Sequence, residues 1–201
     1  MNFTPRLNEA IKLASRLHRN QTRKDSEQTP YVSHLIATAI LVSTVSDDED
    51  AVIAGLLHDS LEDVPGYTYE KLVADCGERV ATIVKHVTEP LDANKEADDQ
   101  IPWLKRKEVY LDNLRQGGKE SALVSAGDKI HNTESLITDI KKEGDEFIKR
   151  FGSSLLNKLW FHEQSLAIIK EKLGDDNPLV IRLSQAISEY KLLVDSKKNE
   201  Q

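Results

Sequence analysis

Apolar residues recur along this chain at steps of three and four and almost nowhere alternate, the pattern of helices that each bury one face. Thr4 is placed as an N-cap and Pro5 as a first-turn proline, and Leu7, Ala10, Ile11, Ala14 and Leu17 then mark the buried side of a helix over Pro5–Arg19. The polar stretch Asn20–Thr29 breaks the period and reads as a loop. Pro30 closes it before a second apolar helix, Tyr31–Val45. Asp47 and Asp48 can cap a third, which carries Ala51, Val52, Ala54, Leu56 and Leu57 and ends in His58, Asp59, Ser60, Leu61, Glu62 and Asp63. Pro65–Gly66 makes a turn, Thr68 caps a short helix ending near Gly77, and Glu78–Val87 has the spacing of another. Leu91–Gln100 is polar and the least ordered-looking internal stretch. Pro102 then opens a helix stopped by Gly117–Gly118, and a long helix follows over Lys119–Glu143. Two more are expected, one around Ser154–Leu173 and one from Asn177–Pro178 to about Val194, with Asp195–Gln201 as a frayed tail. No strand, repeat or domain-splitting linker is visible, so the expectation is one all-α unit of about eight to ten helices over residues 1–194.

Composition narrows the class. The chain has 201 residues, 39% hydrophobic and 30% charged, with 9 Gly and 6 Pro, which excludes collagen-like, low-complexity and fully disordered readings. No apolar run approaches the ~18 residues of a membrane span, and Met1-Asn2-Phe3-Thr4-Pro5 lacks a signal-peptide pattern, so a cytoplasmic location with no membrane partner is expected. The single cysteine, Cys76, suits a reducing compartment and leaves His and carboxylates as the only metal donors. The formal charge of -7 is the wrong sign for holding duplex nucleic acid, although a local basic cluster or a bound cation can still receive a small anion.

Chemistry is concentrated where polar residues interrupt apolar faces. His58 and Asp59 follow a run in which a core helix would continue in Leu, Ile or Val. Burying both is costly without a compensating partner, and a divalent cation is the usual one. His34 interrupts the second apolar helix, and Asp128 lies among Ala122, Leu123, Val124, Ala126 and Ile130. Two imidazoles and two carboxylates suit one transition ion, with manganese expected and iron(II) or zinc as alternatives, better than calcium. Glu62 and Asp63 lie four residues beyond His58 and Asp59, where a carboxylate could hold or deprotonate water beside the ion. His18 is read as packing or capping the first helix, His86 and His162 as surface groups, and His131 as adjacent to the site face but not on it. Cys76 is read as a helix-end residue. Trp160 and Phe161 are read as core with a possible share in a cleft, and Lys105, Arg106 and Lys107 as a solvated face within reach of terminal phosphates.

Three motifs in order then carry a resemblance over about residues 10–165. Arg23–Lys24 with Thr29-Pro30-Tyr31-Val32-Ser33-His34, Leu56-Leu57-His58-Asp59-Ser60-Leu61-Glu62-Asp63, and Asp128-Lys129-Ile130-His131-Asn132 resemble the HD superfamily of metal-dependent phosphohydrolases. Within it they look like the hydrolase domain of RelA/SpoT proteins and the free-standing small alarmone hydrolases. Val87-Thr88 and Leu159-Trp160-Phe161 match lesser signatures of the same group. The resemblance implies His34, His58, Asp59 and Asp128 as metal ligands, and Glu62 and Asp63 as the catalytic pair. It implies Arg23, Lys24 and Asn132 as substrate contacts, with a guanosine 3′,5′-bis(diphosphate) nucleotide as substrate and release of its 3′ pyrophosphate as the reaction. A phosphatase or phosphodiesterase for another nucleotide, and a non-catalytic alarmone-binding protein, are the alternatives. This chain departs from the family where Ser125 stands three residues before Asp128 in place of a usual Lys, so a positive charge near the site is expected to be missing. No synthetase domain is expected in it.

Overall fold

The computed structural model describes residues 3–25, 27–90, 102–144 and 155–198. The polar stretch Leu91–Gln100, the residues just before the expected helix at Ser154 and the last residues of the tail lie outside them. Among the described residues there are nine helices of eight or more residues and one single turn, with an isolated bridge between Thr22 and Pro30 and no named strand. In chain order they are α1 (Pro5–Leu17), α2 (Val32–Ser43), α3 (Glu49–Leu57), α4 (Ser60–Asp63), α5 (Tyr69–Cys76), α6 (Glu78–Lys85), α7 (Trp103–Gln116), α8 (Lys119–Glu143), α9 (Leu155–Leu173) and α10 (Pro178–Lys198).

Local chemistry sets several of these boundaries. Thr4 accepts from the Leu7 amide at 3.0 Å with Pro5 in the first turn of α1. Asp48 takes the Asp50 and Ala51 amides at the start of α3. Gly77, at φ +92°, ends α5 and turns directly into α6 in a conformation that costs a side-chain-bearing residue dearly. The last helix runs to Lys198, beyond Val194.

Helix α8 is the axis of the molecule. It packs against α2, α3, α9 and α10, and every residue from Ser121 to Ile130 is buried, as befits a helix surrounded on all sides. Two close approaches hold its neighbours. A Cβ on Gly127 would lie 3.1 Å from the Thr38 carbonyl of α2, and one on Gly55 of α3 would lie 3.1 Å from Ala39 Cα of α2. Glycine at both contacts lets α2, α3 and α8 approach backbone to backbone, and their polar residues therefore meet. No helix of the described residues is long and apolar enough to cross a membrane.

Candidate metal centre and substrate cleft

His34 is in the first turn of α2, Asp128 midway along α8, and His58 and Asp59 sit at a break between α3 and α4. The break corrects the continuous helix expected through Asp63. Asp59, at φ −92° and ψ −1°, interrupts the helix, and the chain resumes in one turn whose Asp63 amide bonds the Asp59 carbonyl at 2.8 Å. This lets neighbouring side chains that would diverge by ~100° on a regular helix face the same point.

The facing atoms form a compact polyhedron. His34 Nε2 is 3.2 Å from His58 Nε2, 3.2 Å from Asp128 Oδ1 and 3.6 Å from Asp59 Oδ2. His58 Nε2 is 3.1 Å from Asp59 Oδ2 and 3.6 Å from Asp128 Oδ1. Edges of this length are what ligand bonds of ~2.0–2.2 Å subtend at tetrahedral to octahedral angles, so the donor set fits a divalent transition ion. Proton positions agree with that use. His58 Nδ1 donates to the Gly55 carbonyl at 2.9 Å, leaving the Nε2 lone pair aimed inward. His34 Nδ1 is bonded to His131 Nδ1 at 2.9 Å, which fixes its ring.

Both acids are also held by neighbours around the cluster, Asp128 through its outer oxygen as well as its inner one. Tyr31 donates its hydroxyl to Asp59 Oδ2 at 2.7 Å, and the Tyr31 ring is stacked on His18 and lies beneath the Arg23 guanidinium. Lys129 donates to Asp128 Oδ2 at 2.6 Å, and Asn132 bonds Asp128 Oδ1. Burial opposes ionisation of Asp59 and Asp128. His58 beside the first and Lys129 beside the second nevertheless keep both below the usual carboxylate range. Burial pushes His34 down and keeps it neutral, whereas at His58 the two facing carboxylates overcome burial and raise it. The pair of carboxylates thus calls for positive charge at their centre, which a divalent cation supplies.

The cluster adjoins a cleft of about 760 Å³. Arg23, Lys24, Asp63 and Asn132 line it, as does His131. Arg23 donates to Asn132 Oδ1 at 2.8 Å, so two residues distant in sequence form one surface. Glu62 turns toward Glu89, whose amide bonds Glu62 Oε2 at 3.2 Å. Burial first, then the charges of Glu89, Asp59 and Asp63, push the Glu62 carboxyl up to about 8.

Several expectations need correction. Positive charge is present beside Asp128, because Lys129 brings its ammonium there over the faces of Tyr110 and Phe161, and Ser125 is instead a partner of the Tyr110 hydroxyl at 2.8 Å. His131 is on the site face. His162 is buried, within reach of Thr133, and desolvation pushes it down to about 3. His86 is only partly exposed. Lys107 and Arg106 pair with Glu89, and only Lys105 of that trio is exposed. Phe161 is both core and cleft lining. His18 packs as expected, bonded to Gln21, and Cys76 ends α5. Sequence reasoning gave no role to Tyr31, Lys129 or His131, although each flanks or lies within a motif that supplies a ligand.

An all-helical body gripping two histidines and two carboxylates at the edge of a polar cleft defines a metal-dependent hydrolase. A family model described as HD domain matches residues 10–155, and the chain belongs to that HD-domain family of phosphohydrolases. Among curated proteins it is similar to the guanosine-3′,5′-bis(diphosphate) 3′-pyrophosphohydrolase MESH1 of Xenopus tropicalis, 32% identical over 130 residues covering 64% of this chain and 68% of the relative. The human MESH1 is 33% identical over the same shares. The bifunctional (p)ppGpp synthase/hydrolase SpoT of Escherichia coli K12 is 29% identical over 65% of this chain but only 18% of its own length. Among solved structures, a metazoan SpoT ortholog described as hydrolysing ppGpp superposes with a TM-score of 0.73 at 22% identity, over 94% of this chain and 97% of that one. The lmo0812 protein of Listeria monocytogenes superposes with a TM-score of 0.64 at 23% identity, over 83% and 96%. Both share the fold.

Proposed function

We propose that this protein is a guanosine 3′,5′-bis(diphosphate) 3′-pyrophosphohydrolase, working on its nucleotide in the cytoplasm with one divalent transition ion, manganese by preference, held by His34, His58, Asp59 and Asp128. The observation that carries the reading is the four-donor cluster with edges of 3.1 to 3.6 Å opening on a nucleotide-sized cleft, in a chain about one-third identical to hydrolases of that name. A bound ion would supply Lewis-acid activation of water and of the phosphoryl oxygens.

The chain's own residues do the rest. Water oxygen bonds to the phosphorus attached at the ribose 3′ oxygen, the bond between that phosphorus and the 3′ oxygen breaks, and pyrophosphate departs while the 3′ oxygen gains a proton. Asp63, lining the cleft, receives the proton from the attacking water, and Glu62, beside it in the same turn, can take that role once its own carboxyl has lost its proton. Arg23, braced by Asn132 and the Tyr31 ring, presents a planar face for a base or a fork for phosphate, and Lys24 adds a point charge. Lys129 offsets the charge of Asp128 and so limits repulsion of an anionic substrate.

The test is turnover by the metal-reconstituted protein. Arg23→Ala should raise KM about tenfold with kcat little changed, the mark of lost uniform binding. Comparable KM in the parent and the variant would remove Arg23 from the substrate site.

A further inference from the structure

One side chain ties the loop that carries Arg23 and Lys24 to the turn that carries Glu62 and Asp63. Gln21 donates through Nε2 to the Asp63 carbonyl at 2.7 Å, across 42 residues of sequence. A backbone carbonyl can only accept, so this bond fixes which way the amide is turned and points Oε1 at His18, whose Nδ1 donates to it at 2.5 Å. His18 is 1% exposed and stacked on Tyr31, and among the described residues its other nitrogen, Nε2, is buried without a partner. An imidazole with one unpaired buried nitrogen is a costly way to fill a core. Holding the Gln21 amide is what this ring does that an apolar side chain could not.

The Asp63 carbonyl has need of such a donor. Helix α4 is a single turn of four residues, too short to hold its own shape, and the last carbonyls of a helix find no partner within it. The Asp63 carboxylate lines the cleft, so its place there follows the place of its backbone. The Gln21 backbone is committed separately. Its amide donates to the His18 carbonyl at 3.0 Å, its carbonyl accepts from the Tyr31 amide at 2.9 Å, and the Arg23 amide donates to the Thr29 carbonyl at 2.8 Å. These three bonds do not involve the Gln21 side chain, and they hold the loop under Arg23 and Lys24 whether or not that side chain is present.

We infer that Gln21, oriented by His18, is a positioning residue that fixes Asp63 against the substrate loop and so sets its carboxylate beside the attacking water. The inference rests on the proposed activity and brings to it two residues from outside the cleft lining and the metal cluster, which act only through Asp63.

The experiment measures turnover of guanosine 3′,5′-bis(diphosphate) by the metal-loaded full chain. In Gln21→Met, which keeps the length of the side chain and loses both polar atoms, kcat should fall about tenfold or more while KM and metal affinity stay within about threefold. An unchanged kcat, or parallel losses of kcat, KM and metal affinity, would overturn the assignment. Two variants of His18 decide the matter if Gln21→Met does not fold. His18→Asn keeps an N–H near the place of Nδ1 and should retain most of kcat, whereas His18→Leu should lose about tenfold. Equal kcat in the two overturns the role of His18 in orienting Gln21. Amide hydrogen exchange separates failure of the positioning from failure of the reaction. The Asp63 amide, bonded to the Asp59 carbonyl at 2.8 Å, should exchange about tenfold faster or more in Gln21→Met, with the Ile130 amide of α8 unchanged. If the parent does not hydrolyse the nucleotide, the proposed activity is wrong, yet this local loosening still upholds the hold on Asp63. Exchange unchanged at Asp63, or accelerated equally at both amides, overturns it.

Discussion

Glu62 is held in an environment that resists its charge, and this has opposite consequences for stability and for turnover. Its folded-state value of about 8 lies above the ordinary value of 4.5. Between those two values the unfolded chain has lost the proton that the folded chain keeps. Stability therefore falls as pH rises through that window. Glu62→Gln should raise the melting temperature of metal-free protein at pH 8 by about 2–6 °C and flatten its pH dependence between pH 5 and 8. Thermal scans across that range check both effects. The same substitution should lower kcat about 100- to 10,000-fold in metal-loaded protein, as expected for a lost general base. Near-parental kcat would take Glu62 out of the proton transfer. Lys129 behaves differently, since Lys129→Met leaves Asp128 buried with its outer oxygen stripped of its cationic partner. A loss of about 3–5 kcal/mol is expected in metal-free protein, measured by denaturant unfolding, and a smaller loss once an ion shares the Asp128 charge.

At the scale of elements, the site exists because α2, α3 and α8 meet through glycine. Gly55→Ala would gain up to ~1 kcal/mol of helix propensity, but its Cβ would press on the Ala39 backbone, which must shift with the rest of α2. His34 rides on the same helix. The expected outcome is a metal affinity reduced about tenfold or more, with a melting temperature of the metal-free protein changed by only a few degrees. Metal competition with a chromogenic chelator reads the affinity, and an unchanged value would show that α2 absorbs the methyl without moving His34. The helices themselves were legible in the sequence, because caps such as Thr4, Asp48 and Thr68 and stops such as Gly77 and Gly144 act through local backbone chemistry. The interruption at His58 and Asp59 was not. Its apolar spacing continues smoothly into Leu61, and only the tertiary pull of two donors on a common point distinguishes a break from a regular helix.

For the whole molecule, a similar division separates what a single position reveals from what packing creates. His34, His58, Asp59 and Asp128 stood out as polar residues on apolar faces, and the structure brings all four together. Lys129 and His131 gave no such sign. Lys129 carried no reading of its own and His131 was placed beside the site face rather than on it, because only the closing of α7 and α9 over the one and of α2 against the other gives them their roles. His162 was misjudged for the same reason, since burial by α8 and α10 is not written in its own neighbourhood. Because four elements share the metal cluster, an ion bound there should stabilise the whole fold by mass action. Chelation should lower the melting temperature by an amount that grows with the logarithm of the free metal concentration restored. Elemental analysis should give one ion per chain, lost in both His58→Ala and Asp128→Ala.

Phosphorus NMR of metal-loaded protein with guanosine 3′,5′-bis(diphosphate) tests the central claim most directly, because it follows the bond that breaks. The account predicts equimolar pyrophosphate and guanosine 5′-diphosphate, with the signals absent in Asp128→Ala. Release of orthophosphate, cleavage at the 5′ end, or no cleavage at all by protein carrying its full complement of metal would contradict it.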